Sequence, residues 1–449
     1  MSERGHFNSR LGIILATAGS AVGLGNVWRF PFMTGQNGGA AFILIYLGCV
    51  FLLGIPGMVA EFIVGRHSNT NAARAYRKLA GKTPWAVTGY LGVFTSMIIL
   101  GFYAVVAGWC LQYLFVSVGG QIGGDAQAVE KYFTSFASHP WKPVIWTVVF
   151  ILITHLVVVR GIRHGIERAS KLMMPVLLVL LVVIVIASCL LPGASSGIEF
   201  LLKPDFSKLS GSVFLEALGQ AFFSLSLGTA CLCTYASYFK RETHLVRSAT
   251  HIALLDSFIA IMAGLMIFPA AFSVGINPDS GPSLIFITLP NVFQQAFSPA
   301  LGYVISILFY FLLALAALTS TISMHEIGTA FFHEELRVSR SKGAWVVTVI
   351  CCVIGVLCSL SMGAVDGLKI GGKSLLDFCD SLTAQILLPI GALLTCLFVG
   401  WYIPRKIVSD QLTRQGEGRS MVYHVFLFLV RFVCPLCIVA VFLHQLGVI

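Results

Sequence analysis

The residues of this 449-residue chain that are best suited to binding chemistry lie inside strongly apolar segments. The stretch from Gly19 to Asn26 contains three glycines, and the stretch from Ser224 to Ala230 reads Ser-Leu-Ser-Leu-Gly-Thr-Ala. Glycine costs about 1 kcal/mol per residue in a helix relative to alanine, so both stretches favour unwound backbone. Carbonyls freed by unwinding, with hydroxyl and amide side chains, are oxygen ligands for a hard cation. Close helix packing is the alternative, because Gly19 and Gly23 match the Gly-x-x-x-Gly spacing.

Charged and hydroxyl side chains accompany these two stretches. Arg29 follows the first one, and an arginine at membrane depth costs about 2.5–3.5 kcal/mol, so it requires water or a carboxylate partner. The candidate partner is Asp380, and the alternative is that Arg29 extends towards the lipid headgroups. Asp256 and the pair Thr319–Ser320 lie in two other apolar segments. Taken alone, the hydroxyl pair is more often satisfied by a carbonyl of the preceding helical turn, and Asp256 by a bond to a neighbouring helix.

The elements that hold these residues must be membrane-spanning helices. Apolar residues make up 57% of the chain and charged residues 11%, with a mean hydropathy of +0.89. A soluble domain carries about a quarter charged residues, so the composition excludes one. Apolar runs of spanning length recur along the whole chain and predict about eleven helices. Their expected positions are 11–33, 39–65, 86–117, 142–159, 166–191, 212–239, 246–274, 293–333, 344–362, 374–400 and 421–446.

The basic residues are concentrated in alternate loops between these segments. By the positive-inside rule, this pattern predicts a multi-pass protein of the inner or plasma membrane, with the N-terminus cytoplasmic and the C-terminus outside. The net charge of +10 therefore reflects topology, and no nucleic-acid partner is predicted. The residues of the basic loops are Arg4, Arg10, Arg66, Arg74, Arg77, Lys78, Lys82, Arg160, Arg163, Arg168, Lys171, Lys240, Arg241, Arg247, Arg337, Arg340, Lys342, Arg405, Lys406, Arg414 and Arg419.

Enzymatic metal chemistry is not predicted. His325 and Glu326 precede His333 and Glu334, but the His-Glu-x-x-His spacing of zinc peptidases does not occur. Most of the twelve cysteines lie inside apolar segments, and we interpret them as packing residues.

Several motifs, in order along the chain, resemble the neurotransmitter:sodium symporter family, in its bacterial amino-acid branch. The similarity extends over the first ten predicted spans. The matching residues are Arg10-Leu11-Gly12 through Pro31, Asn37-Gly38-Gly39, Gly54-Ile55-Pro56, Glu61, Gly65-Arg66, Tyr103, Trp109, Phe222 to Gly228, Thr234 to Tyr238, Gly281-Pro282-Ser283, Phe286 to Pro290 and Ala316 to Ser320.

The resemblance implies an all-α membrane protein in which spans one and six are broken. Five spans of one orientation would be followed by five of inverted topology and one extra helix. The chain would then be a single transporter domain, 1–449, with a first repeat at 11–191, a second at 212–400 and span eleven at 421–446. Paired glycine-interrupted spans at matching positions of two halves indicate a transporter binding site.

The resemblance also implies two bound sodium ions and no organic cofactor. The first sodium site would use the Ala21 carbonyl, the substrate carboxylate and the side chains of Asn26, Ser224 and Asp256. The second would use three carbonyls and two hydroxyls, from Gly19, Val22, Ala316, Thr319 and Ser320.

The implied substrate is a small amino acid. Its carboxylate would meet the first sodium and Tyr103, its amine would meet carbonyls of the two breaks, and Phe223 would close the site. The full implied set is Ser20, Ala21, Leu24, Gly25, Ile99, Tyr103, Phe223, Ser224, Ser226, Thr229, Ser320, Thr321 and Met324. Two gates are implied as well, with Arg29, Asp380, Phe223 and Tyr103 on the outside and Arg4 and Glu334 on the inside.

Three local features qualify the expectation. Thr229-Ala230 replaces a larger apolar residue followed by glycine, which leaves more room and stiffens the break. Phe7 stands where the family has a tryptophan, which predicts a weaker inner latch. Gly165 and Pro175 flank a segment that either unwinds to admit water or is a static proline kink.

The predicted function is therefore sodium-coupled import of a hydrophobic or aromatic amino acid by alternating access. Two sodium ions beside a zwitterion leave uncompensated positive charge in a low-dielectric site, which the Asp256 carboxylate would offset, so we expect no chloride requirement. A proton-coupled transporter of the same architecture is the alternative. An ion channel is disfavoured, because the polar groups converge on a pocket rather than on a repeated pore motif.

Overall fold

The structure is a computed structural model that describes residues 7, 9–120, 126–276, 284–365, 367–412, 421–445 and 447. Within these ranges nearly all regular structure is helical, which confirms the predicted all-α class. Two short antiparallel strands, β1 (Lys369–Ile370) and β2 (Lys373–Ser374), form a hairpin in a loop.

Ten helices form the first half of the described chain. Polar side chains set several of their starts; Ser9, for example, accepts a hydrogen bond from the Gly12 amide at 3.0 Å. In chain order they are α1 (Arg10–Ala21), α2 (Phe30–Gln36), α3 (Ala40–Cys49), α4 (Ile55–Ser68), α5 (Ala72–Ala80), α6 (Ala86–Val118), α7 (Ala126–Ala137), α8 (Lys142–Val158), α9 (Arg168–Cys189) and α10 (Ala194–Leu202).

Eleven helices follow in the second half. They are α11 (Gly211–Ser224), α12 (Cys231–Ala236), α13 (Leu245–Ser273), α14 (Leu289–Ala296), α15 (Pro299–Glu335), α16 (Arg340–Leu360), α17 (Leu375–Ser381), α18 (Leu388–Leu397), α19 (Arg405–Leu412), α20 (Met421–Phe428) and α21 (Cys434–Gln445). Wider π-helical turns precede or join several helices, at Gly25–Arg29, Val50–Gly54, Ile162–Glu167, Leu284–Thr288, Leu382–Leu387, Phe398–Tyr402 and Leu429–Val433.

Eight continuous helices of the described chain are long and apolar enough to cross a membrane, or up to ten if two bent pairs count as spans. The predicted count of eleven therefore stays a prediction. One predicted position was wrong in its start, because 293–333 contains two helices. The chain at Phe297 is extended, and Ser298 and Pro299 begin the longer helix α15.

The first predicted break is present. Helix α1 ends at Ala21, and the segment from Gly25 to Gln36 continues at an angle of 55°. Inside the break, the Gly23 amide donates a 3.1 Å hydrogen bond to Asn26 Oδ1. The asparagine thus satisfies a backbone donor that unwinding leaves unpaired.

The second predicted break separates α11 from α12. Three residues in it adopt left-handed backbone conformations, with φ of 55° at Ser226, 81° at Gly228 and 61° at Ala230. Only the glycine does so without steric strain. A Cβ atom at Gly228 would also collide with the backbone of α18 near Leu388, so glycine is required there by conformation and by packing.

The long helices α6 and α15 pack against each other and against α8 and α16. Helix α1 lies against α9, α13 and α15, so its broken end meets residues from several parts of the chain. Both breaks are enclosed by protein, which is where non-helical backbone is tolerated at membrane depth.

Candidate functional site

A cluster of buried polar side chains joins the two breaks to helix α13. Asn26 Nδ2 donates to Asp256 Oδ1 at 2.8 Å and lies 3.4 Å from Ser224 Oγ. Ser224 Oγ donates to Asp256 Oδ2 at 2.7 Å. All three residues are at most 2% exposed. The three side chains of the predicted first sodium site therefore lie together. Ala21, the fourth predicted ligand, is the last residue of helix α1 and precedes Asn26 in the first break.

Tyr46 belongs to the same cluster and was missed from the sequence. Its hydroxyl donates to Asp256 Oδ2 at 3.3 Å. The tyrosine lies in an apolar run with no local signal, and only the packing of α3 against the rest of the chain places it there. The Asp256 carboxylate thus accepts from an amide and two hydroxyls, a donor set that stabilises its charged form.

A second cluster joins the first break to helix α15. Thr319 Oγ1 lies 3.1 Å from the Val22 carbonyl oxygen and 2.8 Å from that of Ala316, and Ser320 Oγ lies 3.3 Å from the Val22 oxygen. A Cβ atom at Gly19 would lie 3.3 Å from Thr319 Cβ, so Gly19 packs directly against the pair.

The hydroxyls of Thr319 and Ser320 form bonds beyond the preceding turn of their own helix. The bond to Ala316 is the local one expected of any helical threonine, but the bonds to Val22 reach a carbonyl of another helix. Two hydroxyls and two carbonyls within hydrogen-bond distance form an oxygen-rich site of the kind that a hard cation prefers.

Tyr103 lies on the first break. Its hydroxyl accepts a 3.0 Å hydrogen bond from the Leu24 amide. A Cβ atom at Gly23 would lie 2.9 Å from that hydroxyl and would collide with Ser320 Oγ, so Gly23 fits between Tyr103 and Ser320. The residue at 23 must be small for these groups to meet.

The second break contacts the first through side-chain hydroxyls. Ser226 Oγ donates to the Ser20 carbonyl at 3.2 Å, and Thr229 Oγ1 donates to the Ser226 carbonyl at 2.7 Å. Ser96 of α6 donates to the Thr229 carbonyl at 2.6 Å. Ser20, Ser226 and Thr229 of the predicted substrate set thus lie together, and Ser96 is an additional contact.

Other members of the substrate set have separate contacts. Thr321 Oγ1 lies 2.9 Å from Thr154 Oγ1 of α8 and bonds the Leu318 carbonyl at 3.1 Å, so its hydroxyl is engaged away from the breaks. Met324 is buried and Ile99 half-buried in the apolar core. Their placement fits a side-chain pocket and equally fits core packing.

Arg29 and Phe223 stack against each other beside the breaks, on the side predicted to face outward. The Arg29 guanidinium carbon lies 4.5 Å from the centroid of the Phe223 ring, and Gly25 packs against the edge of that ring. Asp380 and Glu216 are the acidic groups that attract the guanidinium. Among the described residues, however, no carboxylate lies within 4.0 Å of it. Arg29 thus shares a neighbourhood with its predicted partner without a direct ion pair.

A small cavity of about 20 Å³ lies beside this stack. It is lined mainly by apolar residues of α11, α18 and α21, including Phe223. Arg29 and Gln445 are its polar lining residues. It touches the outer face of Phe223 and does not include the residues of the two oxygen clusters.

Glu61 of α4 holds the second break in place. Its Oε1 accepts from the Gly228 amide at 2.8 Å and its Oε2 from the Cys233 amide at 3.3 Å. A single carboxylate therefore pairs two backbone donors that the break leaves unpaired. A lone glutamate in an apolar span was visible in the sequence, but its target was not.

Aromatic residues surround Phe7, at the side predicted to face the cytoplasm. Phe7 is 1% exposed, and its ring lies edge-on to those of Tyr235 and Tyr238 at 5.9 and 6.2 Å. Phenylalanine therefore fills the latch position without a polar group. The predicted partner Arg4 lies outside the described residues, as does the motif residue Pro282. Glu334 accepts from the Asn71 amide at 2.8 Å.

A second inner network was missed from the sequence. Glu326 is fully buried, accepts from the Tyr238 hydroxyl at 2.6 Å and forms an ion pair with Arg340. Its neighbour His325 instead bonds Thr348 at 2.9 Å. The two residues thus point to different partners, as adjacent helical positions do.

The start of the fifth predicted span is helical from Ile162 to Cys189, with Pro175 inside it. Glu167 accepts from Ser9 Oγ at 3.2 Å and pairs with Lys171 at 2.6 Å. This segment is thereby tied to the start of α1, and its unwinding stays a prediction.

Known proteins are similar to this chain over nearly its whole length. The model of the sodium:neurotransmitter symporter family matches residues 4–132 and 134–449. The uncharacterized sodium-dependent transporter YhdH of Bacillus subtilis is 39% identical over 98% of this chain and 97% of its own. The sodium- and chloride-dependent GABA transporter 2 of Macaca fascicularis is 27% identical over 96% of this chain and 78% of its own.

A solved structure has the same fold. The crystal structure of MhsT in complex with L-phenylalanine superposes with a TM-score of 0.89 at 40% sequence identity. The match covers 98% of this chain and all of that one.

Proposed function

This chain belongs to the sodium:neurotransmitter symporter family and is a sodium-dependent, multi-pass membrane transporter rather than an enzyme; from this premise we propose that it imports a hydrophobic or aromatic amino acid without a chloride requirement. The observation that supports the proposal most is the convergence of the two oxygen clusters on the first break. One cluster centres on Asp256 and the other on Thr319, and both use backbone of the same unwound segment.

We propose one sodium ion at each cluster. At the first, the ion would take oxygens of Asn26, Ser224 and Asp256 with the Ala21 carbonyl. At the second, it would take the carbonyls of Gly19, Val22 and Ala316 with the two hydroxyls, whose protons would turn away from Val22. Both sets supply only oxygen, the ligand type that a hard cation selects.

The amino acid would lie between the two breaks. Its carboxylate would approach the first sodium and Tyr103, while its amine would meet carbonyls of Ala21, Phe223 and Ser226. Charge-assisted hydrogen bonds of this kind are about twice as strong as neutral ones. The small Thr229 leaves room for a bulky side chain, and the phenylalanine bound to MhsT supports this substrate class.

Chloride independence follows from the charge of Asp256. Two sodium ions and a zwitterionic substrate carry a net charge of +2, part of which the groups around them must offset. A carboxylate fixed by three donors offsets that charge in a low-dielectric site, where a mobile anion would otherwise be required. One relative is named as a sodium- and chloride-dependent transporter, so the proposal distinguishes this chain from that member of the family.

We further propose that residues 11–191 and 212–400 are repeats of inverted topology that alternate access to the site. The inner and outer closures would be the aromatic cluster at Phe7 and the stack of Arg29 on Phe223. Loops rich in basic residues would lie in the cytoplasm.

Uptake into proteoliposomes tests the coupling ions. Radiolabelled phenylalanine uptake is expected to require an inward sodium gradient and to be unchanged when gluconate replaces chloride. Uptake driven by a proton gradient in sodium-free buffer would instead support the proton-coupled alternative. A strict need for chloride would contradict the role given to Asp256.

A Thr319→Ala, Ser320→Ala variant is expected to need about tenfold more sodium for half-maximal uptake, because each lost hydroxyl ligand weakens the site by roughly 0.5–1.5 kcal/mol. Sodium titration of uptake measures the change. The matched control is Thr250→Ala, whose hydroxyl bonds only the Val246 carbonyl of its own helix. An unchanged sodium requirement in the double variant would mean that the second site lies elsewhere.

A further inference from the structure

Arg431 is an arginine inside the last apolar span that the transport site does not use. It lies in the π-helical turn Leu429–Val433, within the candidate span Met421–Gln445. A charged side chain inside a span is costly and is normally paired with a counter-charge or faces a cavity. In the described chain, no carboxylate lies within 4.0 Å of this guanidinium.

The residue is held by a reciprocal contact with the end of the preceding span. Arg431 Nε donates to the Gly400 carbonyl, and the Arg431 carbonyl accepts from Trp401 Nε1 at 3.2 Å. The guanidinium carbon lies 5.3 Å from the Trp401 ring centroid, within the range of a cation–π contact. Both helices have π-helical turns here, and such turns shift the regular ladder so that carbonyls can accept other donors.

Packing fixes the arginine in this position. A Cβ atom at Gly400 would lie 3.0 Å from Arg431 Cγ, so the glycine allows the two helices to approach. The contact uses only Nε of the guanidinium, and the other N–H groups have no acceptor among the described residues. The neighbouring Trp401 and Phe432 are 57% and 46% exposed, so the site opens on the lipid-facing surface.

The chemistry that completes this site is an anion supplied by the bilayer. Arginine binds phosphate oxygens through two parallel N–H groups, and the exposed basic residues Arg405 and Lys406 follow Trp401 closely in the chain. By the positive-inside rule, these basic residues assign the site to the cytoplasmic leaflet, where anionic lipids attract basic side chains.

We propose that Arg431, seated on Trp401 and Gly400, binds the phosphate of an anionic phospholipid from the surrounding bilayer. The lipid would neutralise a charge for which the described residues supply no carboxylate, and would brace the contact between the last two spans. This site is separate from the sodium and substrate clusters, and it stands whether or not the proposed substrate is correct.

Native mass spectrometry of the full chain, released from nanodiscs of mixed phosphatidylglycerol and phosphatidylcholine, tests the proposal. The wild type is expected to retain phosphatidylglycerol in preference to phosphatidylcholine. Arg431→Gln should reduce that preference about fivefold, since one basic residue near an anionic surface contributes roughly 1 kcal/mol. Arg431→Lys keeps the charge without the planar fork and should lie between the two. Trp401→Phe keeps a ring under the guanidinium and should retain most of the preference.

The control is Lys342→Gln, which removes an exposed positive charge elsewhere and should leave lipid retention unchanged. Equal loss in the control and in Arg431→Gln would mean a general charge effect and would overturn the proposal.

Phosphatidylglycerol should raise the midpoint of thermal unfolding, whereas inorganic phosphate added to nanodiscs of pure phosphatidylcholine should not. An equal rise with inorganic phosphate would identify free phosphate as the ligand and would overturn the proposal. A dimer that Arg431→Gln dissociates would assign the arginine to a second copy of the chain and would also overturn it. If Arg431→Gln does not fold, Arg431→Lys with retention equal to the wild type would refute the phosphate fork.

Discussion

An Asp256→Asn variant is expected to lose most sodium-driven uptake at physiological sodium. The carboxylate accepts from Asn26, Ser224 and Tyr46, and an asparagine amide would direct N–H bonds at one or more of these donors. Hydrogen bonds to a charged group contribute about 1.5–3 kcal/mol, so sodium binding should weaken roughly 10- to 150-fold. Sodium binding measured by scintillation proximity, together with uptake, reports the loss.

Two further measurements separate the charge of Asp256 from its hydrogen bonds. If the missing negative charge is the main cause, high chloride should restore part of the uptake of Asp256→Asn, because a bound anion can offset the same excess charge. Asp377→Asn, which removes an exposed carboxylate of α17, is the matched control and should transport normally. Full sodium affinity in Asp256→Asn would remove the residue from the site.

A Glu61→Gln variant is expected to destabilise the protein and to abolish most transport, although Glu61 contacts neither proposed ion. One oxygen that now accepts from Gly228 or Cys233 becomes an amide nitrogen, which faces a backbone N–H. An unpaired buried donor costs about 1–3 kcal/mol, so the midpoint of thermal unfolding should fall by several degrees. The Gly228 amide should also exchange its hydrogen faster.

Glu130→Gln in the peripheral helix α7 is the matched control, since its side chain lies on the surface. The prediction fails if Glu61→Gln unfolds at the wild-type temperature with unchanged amide protection at Gly228. If the variant is stable but inactive, Glu61 is required for the conformational change of the break and not for its stability.

Features that depend on local sequence were predicted well. Both broken helices are present, because glycine and small polar residues in an apolar run specify unwound backbone wherever it is enclosed. The side chains of Asn26, Ser224 and Asp256 were also named in advance and lie together. This set was implied by the family resemblance, since neither spacing nor periodicity relates positions so far apart.

Features that depend on which helix faces meet were not predictable from one sequence. Tyr46 and Glu326 lie in runs whose apolar character says only that they are in a span. Their partners, Asp256 for Tyr46 and Tyr238 for Glu326, are distant in sequence. Arg29 illustrates a different difficulty, because a charge in a span can be accommodated by an aromatic face as well as by a carboxylate.

The broken sixth span imposes an order on membrane insertion. Its helices have 14 and 6 residues, and each alone is shorter than the roughly 20 residues that cross a bilayer. Entering lipid by itself, the segment from Leu225 to Ala230 would expose unpaired amides and carbonyls to hydrocarbon. Glu61 supplies two of the missing acceptors, and it leaves the ribosome well before Gly228. We therefore expect the second span to be in the bilayer first and to serve as an intramolecular receptor for the sixth.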